Sequence, residues 1–166
     1  MSARVAGLDL SMSATGVASI SGLARTIRPR TAGDRRLVEI LDDVLSAVAA
    51  ATLVAIEDLP TNAKGAGITG MVHGTVRAAL LRQGTPYVLI TPATLKKFAT
   101  GRGNVGKPEM AVALFKRAGI ELADDNQVDA WWLRAAGLQL LGEPVVELPR
   151  AQVEALDKVR DQLGAS

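Results

Sequence analysis

Five residues carry the chemistry this chain is able to offer: Asp9, Glu57, and the cluster Asp125, Asn126 and Asp129. Asp9 interrupts the apolar run Val5-Ala6-Gly7-Leu8 before Leu10, and Glu57 closes Leu53-Val54-Ala55-Ile56, so both carboxylates end strands that read as buried on both faces. An isolated buried carboxylate is costly and needs a cation, a strong donor or a raised pKa. Several acids converging in one cleft stay ionised together when Mg²⁺ or Mn²⁺ sits between them, so the set is expected to form one divalent-metal site. Helical spacing places Asp129 beside both Asp125 and Asn126 at the head of a helix. Capping accounts for Asp124 or Asp125 there. It does not account for Asp129, which stands between Val128 and Ala130-Trp131-Trp132-Leu133.

The elements that must position these residues follow from the apolar pattern. Strands are predicted over about 3–10, 15–21 and 24–30, forming an antiparallel meander, with a turn at Ser11-Met12-Ser13-Ala14. Asp34 is expected to cap a helix over about 35–50 whose stripe is Leu37, Ile40, Leu41, Val44, Leu45 and Val48. The strand Thr52–Asp58 then follows a crossover and should lie parallel to the first. Gly65, Gly67, Gly70 and Gly74 precede or interrupt a helical pattern of Met71, Val72, Val76, Ala79 and Leu80. Gly70 and Gly74 on one face would admit a close backbone, such as a second subunit, or mark a loose helix start. Pro86–Ile90 is the last strand. Thr91-Pro92 starts a short helix, Pro108 another that ends near Gly119, and Asp124 or Asp125 a third that runs to about Leu141. Residues 150–164 read as an amphipathic terminal helix with Val153, Leu156, Val159 and Leu163 inward. The order is β-β-β-α-β-α-β and then helices, an α/β fold with a mixed five-stranded sheet.

With 166 residues the chain is most simply one domain, its core at about 3–141. Its hydrophobic fraction of 48% supports a core, but two Trp, two Phe and one Tyr leave that core to Ala, Val, Leu and Ile and argue against a dedicated single-strand binder. The absence of Cys removes disulfides and thiolate zinc sites and is compatible with the cytoplasm; no signal peptide or membrane-length apolar stretch is read. Net charge is only +2, yet cations cluster. Arg25, Arg28, Arg30, Arg35 and Arg36 form one group, equally readable as a solvated face. Lys96, Lys97, Arg102 and Lys107 surround Gly101, Gly103 and Gly106, which suits a loop that contacts phosphates. His73, the only histidine, is read as structural rather than as a ligand.

The combination Gly7-Leu8-Asp9-Leu10-Ser11 with Thr15-Gly16, Ala55-Ile56-Glu57, Thr91-Pro92 through Lys96, Thr100-Gly101-Arg102-Gly103 with Lys107, and Asp125-Asn126-Gln127-Val128-Asp129-Ala130 resembles the RuvC-like Holliday junction resolvases of the RNase H-like (retroviral integrase) superfamily, over residues 4 to about 141. The resemblance implies an RNase H-like fold. It also implies two Mg²⁺ ions, replaceable by Mn²⁺, held by Asp9, Glu57 and Asp129, and a C2 homodimer with contacts around Gly70 to Arg82. The implied reaction is paired symmetric hydrolysis of four-way DNA junctions to 5′-phosphate ends, in a bacterial cytoplasm, for a host or phage protein. The acid or histidine common three residues before the last Asp is here Asn126. Either Asn126 serves as an uncharged ligand or Asp125 substitutes, and Asp125 is favoured. Lys107 is the candidate for stabilising the scissile phosphate, with Lys96, Lys97, Arg102 and Lys64 as further DNA contacts. The aromatic that members place after the strand-ending Glu is replaced by Asp58-Leu59-Pro60-Thr61, consistent with a broader branched-DNA nuclease. Hybrid cleavage of the RNase H type, a non-catalytic junction-binding protein and an actin-like kinase or ATPase are the alternatives. The last requires a second comparable domain.

Overall fold

The first three strands, β1 (Val5–Asp9), β2 (Thr15–Ala18) and β3 (Ala24–Ile27), form the expected antiparallel meander. They belong to a computed structural model that describes residues 2–59 and 66–164. Helix α1 (Arg35–Val48) crosses to β4 (Leu53–Glu57), parallel to β1, and α2 (Ala66–Arg82) crosses to β5 (Tyr87–Ile90), parallel to β4. The sheet order is β3-β2-β1-β4-β5. Helices α3 (Pro92–Thr100), α4 (Lys107–Ala118) and α5 (Asp125–Leu140) follow.

Alternation along the strands divides the core into two layers, because successive side chains leave a strand on opposite faces. Ala6, Leu8, Val17, Val54 and Ile56 pack with Ile40 and Val44 of α1 and Val72, Val76 and Leu80 of α2. Val5, Leu53, Ala55, Val88 and Ile90 face the opposite way, onto α3, α4 and α5, where Phe98, Leu114, Trp132 and Leu133 complete the layer. Trp132 meets Phe98 edge to face at 6.0 Å, and its indole N–H donates to the Met110 carbonyl at 3.2 Å, so its one polar atom is satisfied inside the core.

Several boundaries differ from expectation for local reasons. β2 stops at Ala18 because Ser19 N–H pairs with Leu23 O across a turn that Gly22 completes at φ 88°. β3 stops before Pro29, which cannot donate to a ladder. Asp34 occupies the start of α1 without a side-chain capping bond; Arg36 and Leu37 N–H groups instead bond the carbonyls of Gly33 and Asp34. Met71, included in the apolar pattern of α2, is exposed. The predicted helix over 150–164 is a series of short turns: α6 (Arg150–Val153), a 3₁₀ turn (Glu154–Leu156), α7 (Asp157–Arg160) and a second 3₁₀ turn (Asp161–Gly164). The breaks keep Leu156 and Val159 buried while aiming two amides at the domain. Gln152 Nε2 donates to Phe98 O at 2.6 Å, and Gln162 accepts from Leu89 N–H at 2.8 Å and donates to Leu89 O at 2.9 Å. Gln162 thereby supplies the edge of β5 with a substitute for a neighbouring strand.

Candidate active site

Strand parity brings the first two acids together. Val5 and Gly7 face α5, as do Leu53 and Ala55, so the next residues of the same parity, Asp9 and Glu57, face it as well. β1 and β4 are parallel neighbours in the register Leu8 to Ile56, which places Asp9 and Glu57 side by side at their C-terminal ends.

Two glycines allow α5 to bring in the third acid. A Cβ on Gly7 would lie 2.1 Å from Ala130 O and 2.5 Å from Arg134 N; one on Gly16 would lie 2.0 Å from Asn126 O. The helix backbone therefore rests directly on the backbones of β1 and β2, a contact that only glycine permits. Asn126 and Ala130 bracket Asp129 on α5, so the approach that Gly16 and Gly7 permit is also what delivers Asp129 to Asp9.

The electrostatics record the convergence. Asp9 is pushed up to about 7, first by burial and then by the charge of Asp129, with Lys107 opposing and Asp124 adding. Glu57 rises to about 8, again mainly through burial, then through Asp9 and Asp129, against Lys96 and Lys107. Asp129 rises to about 6, with burial dominant, Lys107 and Lys96 lowering it and Asp125 raising it. Among the described residues none of the three carboxylates accepts a hydrogen bond, so nothing but the two lysines offsets their ionisation.

This donor set suits a hard divalent cation in kind, since it offers desolvated carboxylate oxygens that lack compensation. Among the described residues no three acidic or histidine side chains stand close enough, in the conformation seen, to form a ready-made cage.

Around the start of α5 the acids divide their tasks. Asp124, not Asp125, is the cap: its Oδ1 accepts from Gln127 N–H at 3.0 Å. Asp125 is exposed and pairs with Lys107 Nζ at 3.4 Å, bridging the starts of α5 and α4. Asn126 is half-buried, its backbone seated on Gly16. Lys96 is half-buried and acts on Glu57 and Asp129, whereas Lys97 and Arg102 are exposed and contribute nothing to the carboxylates' shifts. Arg102 instead lines a cleft of about 370 Å³ with Lys116 and Arg117. Lys64 lies outside the described residues, as do Pro60 and Thr61. His73 is buried within α2 and held toward its neutral form by burial and by Arg77.

Sequence reasoning passed over Thr26 and Arg28 as individual contributors. Thr26 Oγ1 donates to both carboxylate oxygens of Asp124, at 2.9 and 2.7 Å, and Arg28 bonds Oδ2 at 3.2 Å. The available signal was strand parity: Thr26 pairs with Gly16, and Gly16 lies under α5.

No protein-family model matches the sequence, and no curated protein matches it. Solved structures do match in three dimensions, two of RuvC among them. The Thermus thermophilus RuvC structure superposes with a TM-score of 0.67 over 86% of this chain and 99% of that one, at 21% identity. T. thermophilus RuvC in complex with Holliday junction substrate gives 0.64 over 86% and 98%, at 22% identity.

Proposed function

The chain has the RuvC-like, RNase H-like fold, and from that premise we propose that it is a divalent-metal-dependent endodeoxyribonuclease acting on branched DNA. In this reading it resolves four-way junctions by paired symmetric cuts that leave 5′ phosphates. One observation supports the proposal above the rest: strand register and the glycine contacts of α5 bring Asp9, Glu57 and Asp129 together, desolvated and mutually repelling, with Lys96 and Lys107 acting on them.

Two Mg²⁺ ions, or Mn²⁺ in their place, would supply an acidified water and charge neutralisation at the leaving 3′ oxygen. Asp9, Glu57 and Asp129 would hold them, with Asn126 and Asp125 as the two candidates for a further ligand. Lys107 stabilises the scissile phosphate, and its pairing with the exposed Asp125 keeps its ammonium at the cleft until a phosphate replaces that partner. Lys96 neutralises charge at Glu57 and Asp129 and positions the backbone, while Lys97, Arg102 and Lys64 add outer phosphate contacts. Burial of the acids keeps bulk water from competing for the coordinating oxygens.

Two opposed cuts require two sites, which a C2 dimer of this single nuclease domain provides. Exposed Gly67, Ile68, Met71, Gly74 and Leu81 on α2 give a face whose small residues admit a second copy closely. Leu59 is half-buried at the end of β4, and its aliphatic side chain favours tolerance of several branched substrates over one junction geometry. Among the described residues no helix is long and apolar enough to cross a membrane. In this reading the protein works where branched DNA is available, in the bacterial cytoplasm.

The test is cleavage of a labelled four-way junction beside linear duplex and an RNA–DNA hybrid, with Mg²⁺, with EDTA, and with Asp9→Asn protein. Paired symmetric nicks lost with EDTA and in the variant are expected. Binding without cleavage in both Mg²⁺ and Mn²⁺ would make this a junction-binding protein, and preferential cutting of the hybrid would make it a ribonuclease.

A further inference from the structure

The edge strand β3 has no place in the chemistry above, yet it touches the start of α5 through three hydrogen bonds. Gly16 pairs with Thr26 in the sheet, and the Asn126 backbone lies on Gly16, so the side chain of Thr26 emerges beside the first turn of α5. It meets Asp124 there, donating at 2.9 and 2.7 Å, while Arg28, two residues along and of the same parity, adds a contact of 3.2 Å. Asp124 is half-buried, with its side chain 27% exposed, and it also faces the backbone N–H groups of the first turn, accepting from Gln127 N–H at 3.0 Å with Asn126 N–H beside it. The Val128 N–H bonds Asp124 O at 3.2 Å. One residue therefore ties the edge of the sheet to the turn that carries Asp125 and Asn126 and leads to Asp129.

We propose that Thr26 and Arg28 are positioning residues of the active site: by gripping Asp124 they set the direction in which α5 presents Asn126 and Asp129 toward Asp9 and Glu57. The inference rests on the nuclease reading and adds to it a control on how tightly the carboxylates hold a cation. An ordinary cap needs only the bond from Asp124 to Gln127 N–H. The additional donors come from a different element and approach the carboxylate from the sheet, which restrains the helix start relative to β1 rather than only closing its first turn. Groups that orient ligands in this way alter metal affinity or activity by about 10–100-fold when removed.

Three variants separate the roles. Thr26→Val keeps the shape and removes the donor, Thr26→Ser keeps the donor, and Arg28→Gln removes the charge. Each is measured for Mn²⁺ affinity by calorimetry on the protein alone, for amide exchange at Gln127 and Val128, for junction affinity in EDTA, and for single-turnover cleavage. Thr26→Val is expected to weaken Mn²⁺ binding by about tenfold and slow cleavage comparably. It should also speed exchange at both amides and leave junction affinity in EDTA within about twofold. Thr26→Ser restores all four. A loss of melting temperature in Thr26→Val with unchanged Mn²⁺ affinity and cleavage would make the contact a simple cap and overturn the proposal. Arg28→Gln that weakens junction binding in EDTA and leaves Mn²⁺ affinity unchanged would overturn the assignment of Arg28, transferring it to DNA contact. Wild-type protein that neither binds Mn²⁺ nor cleaves would refute the nuclease reading itself. In that case unchanged exchange in Thr26→Val would refute the grip as well, and faster exchange would leave the grip standing.

Discussion

Gly16→Ala tests the physical basis of the site without touching any acid. The added methyl would stand 2.0 Å from Asn126 O and 2.6 Å from Asn126 C, both backbone atoms of a packed helix with no rotamer to move aside. Contacts of this kind need at least 3.0 Å, so α5 must lift from β2 by about 1 Å. Asn126 precedes Asp129 by three residues on the same rigid helix, and the displacement is passed to Asp129 relative to Asp9. Forcing one methyl into a packed interface costs about 1–3 kcal/mol. At about 2–4 °C per kcal/mol for a domain of this size, the melting temperature should fall by roughly 2–12 °C. The protein stays folded, because the layer that includes Trp132, Leu133 and Leu114 remains. A misplacement of about 1 Å is sufficient for a loss of about 10²-fold in rate. The assay is single-turnover junction cleavage beside a thermal melt, at a temperature where the variant is fully folded. Cleavage within threefold of wild type would refute the claim that backbone contact at Gly16 places Asp129.

Further outcomes follow from the same structure. In chelator, the raised pKa values of Asp129, Asp9 and Glu57 mean that the folded state holds protons more tightly than the unfolded chain, where these groups titrate near 3.8 to 4.5. Their contribution to stability is thus complete below about pH 4 and is lost as pH rises through about 6, 7 and 8. Metal-free protein should melt lower at pH 8.5 than at pH 5.5, and Glu57→Gln should flatten the upper part of that slope; parallel slopes for the two proteins would sink the argument. Lys107→Ala should reduce cleavage by roughly 10²-fold through loss of charge at the phosphate, with a melting temperature near wild type because its ion pair with Asp125 is more than half exposed and worth about 0–1 kcal/mol. Gly74→Ala, whose methyl meets nothing within 4 Å, should stabilise the subunit by about 0.5–1 kcal/mol, read in a chemical melt at low protein concentration.

Much of the architecture was legible because it depends on local pattern. The continuous apolar runs ending in Asp9 and Glu57, the 3.6-residue stripe of α1, and the Thr91-Pro92 start of α3 each specify an element through interactions within a few residues, and each element lies where expected. Thr91 does cap α3, accepting from Thr94 N–H at 3.2 Å. The terminal segment departs from its apolar pattern for the complementary reason. Its apolar spacing is helical, but the bonds that Gln152 and Gln162 make to Phe98 and Leu89 lie 54 and 73 residues away in sequence, and no pattern within 150–164 announces them.

The site divides along the same line. That acids stand at the ends of two buried strands and at the head of an apolar helix is readable from residue order, because carboxylates among Val, Leu and Ala are anomalous wherever the chain goes. How the acids there divide their tasks emerges from long-range packing: Asp124 is gripped by Thr26 and Arg28, Asp125 pairs with Lys107, Asn126 is seated on Gly16, and Asp129 acts on Asp9. Those roles depend on which side of α5 meets β1 and β2, and that choice is made by the missing side chains of Gly7 and Gly16. A glycine's absent Cβ leaves no mark in hydrophobic periodicity, and it acquires meaning only when another backbone occupies the space.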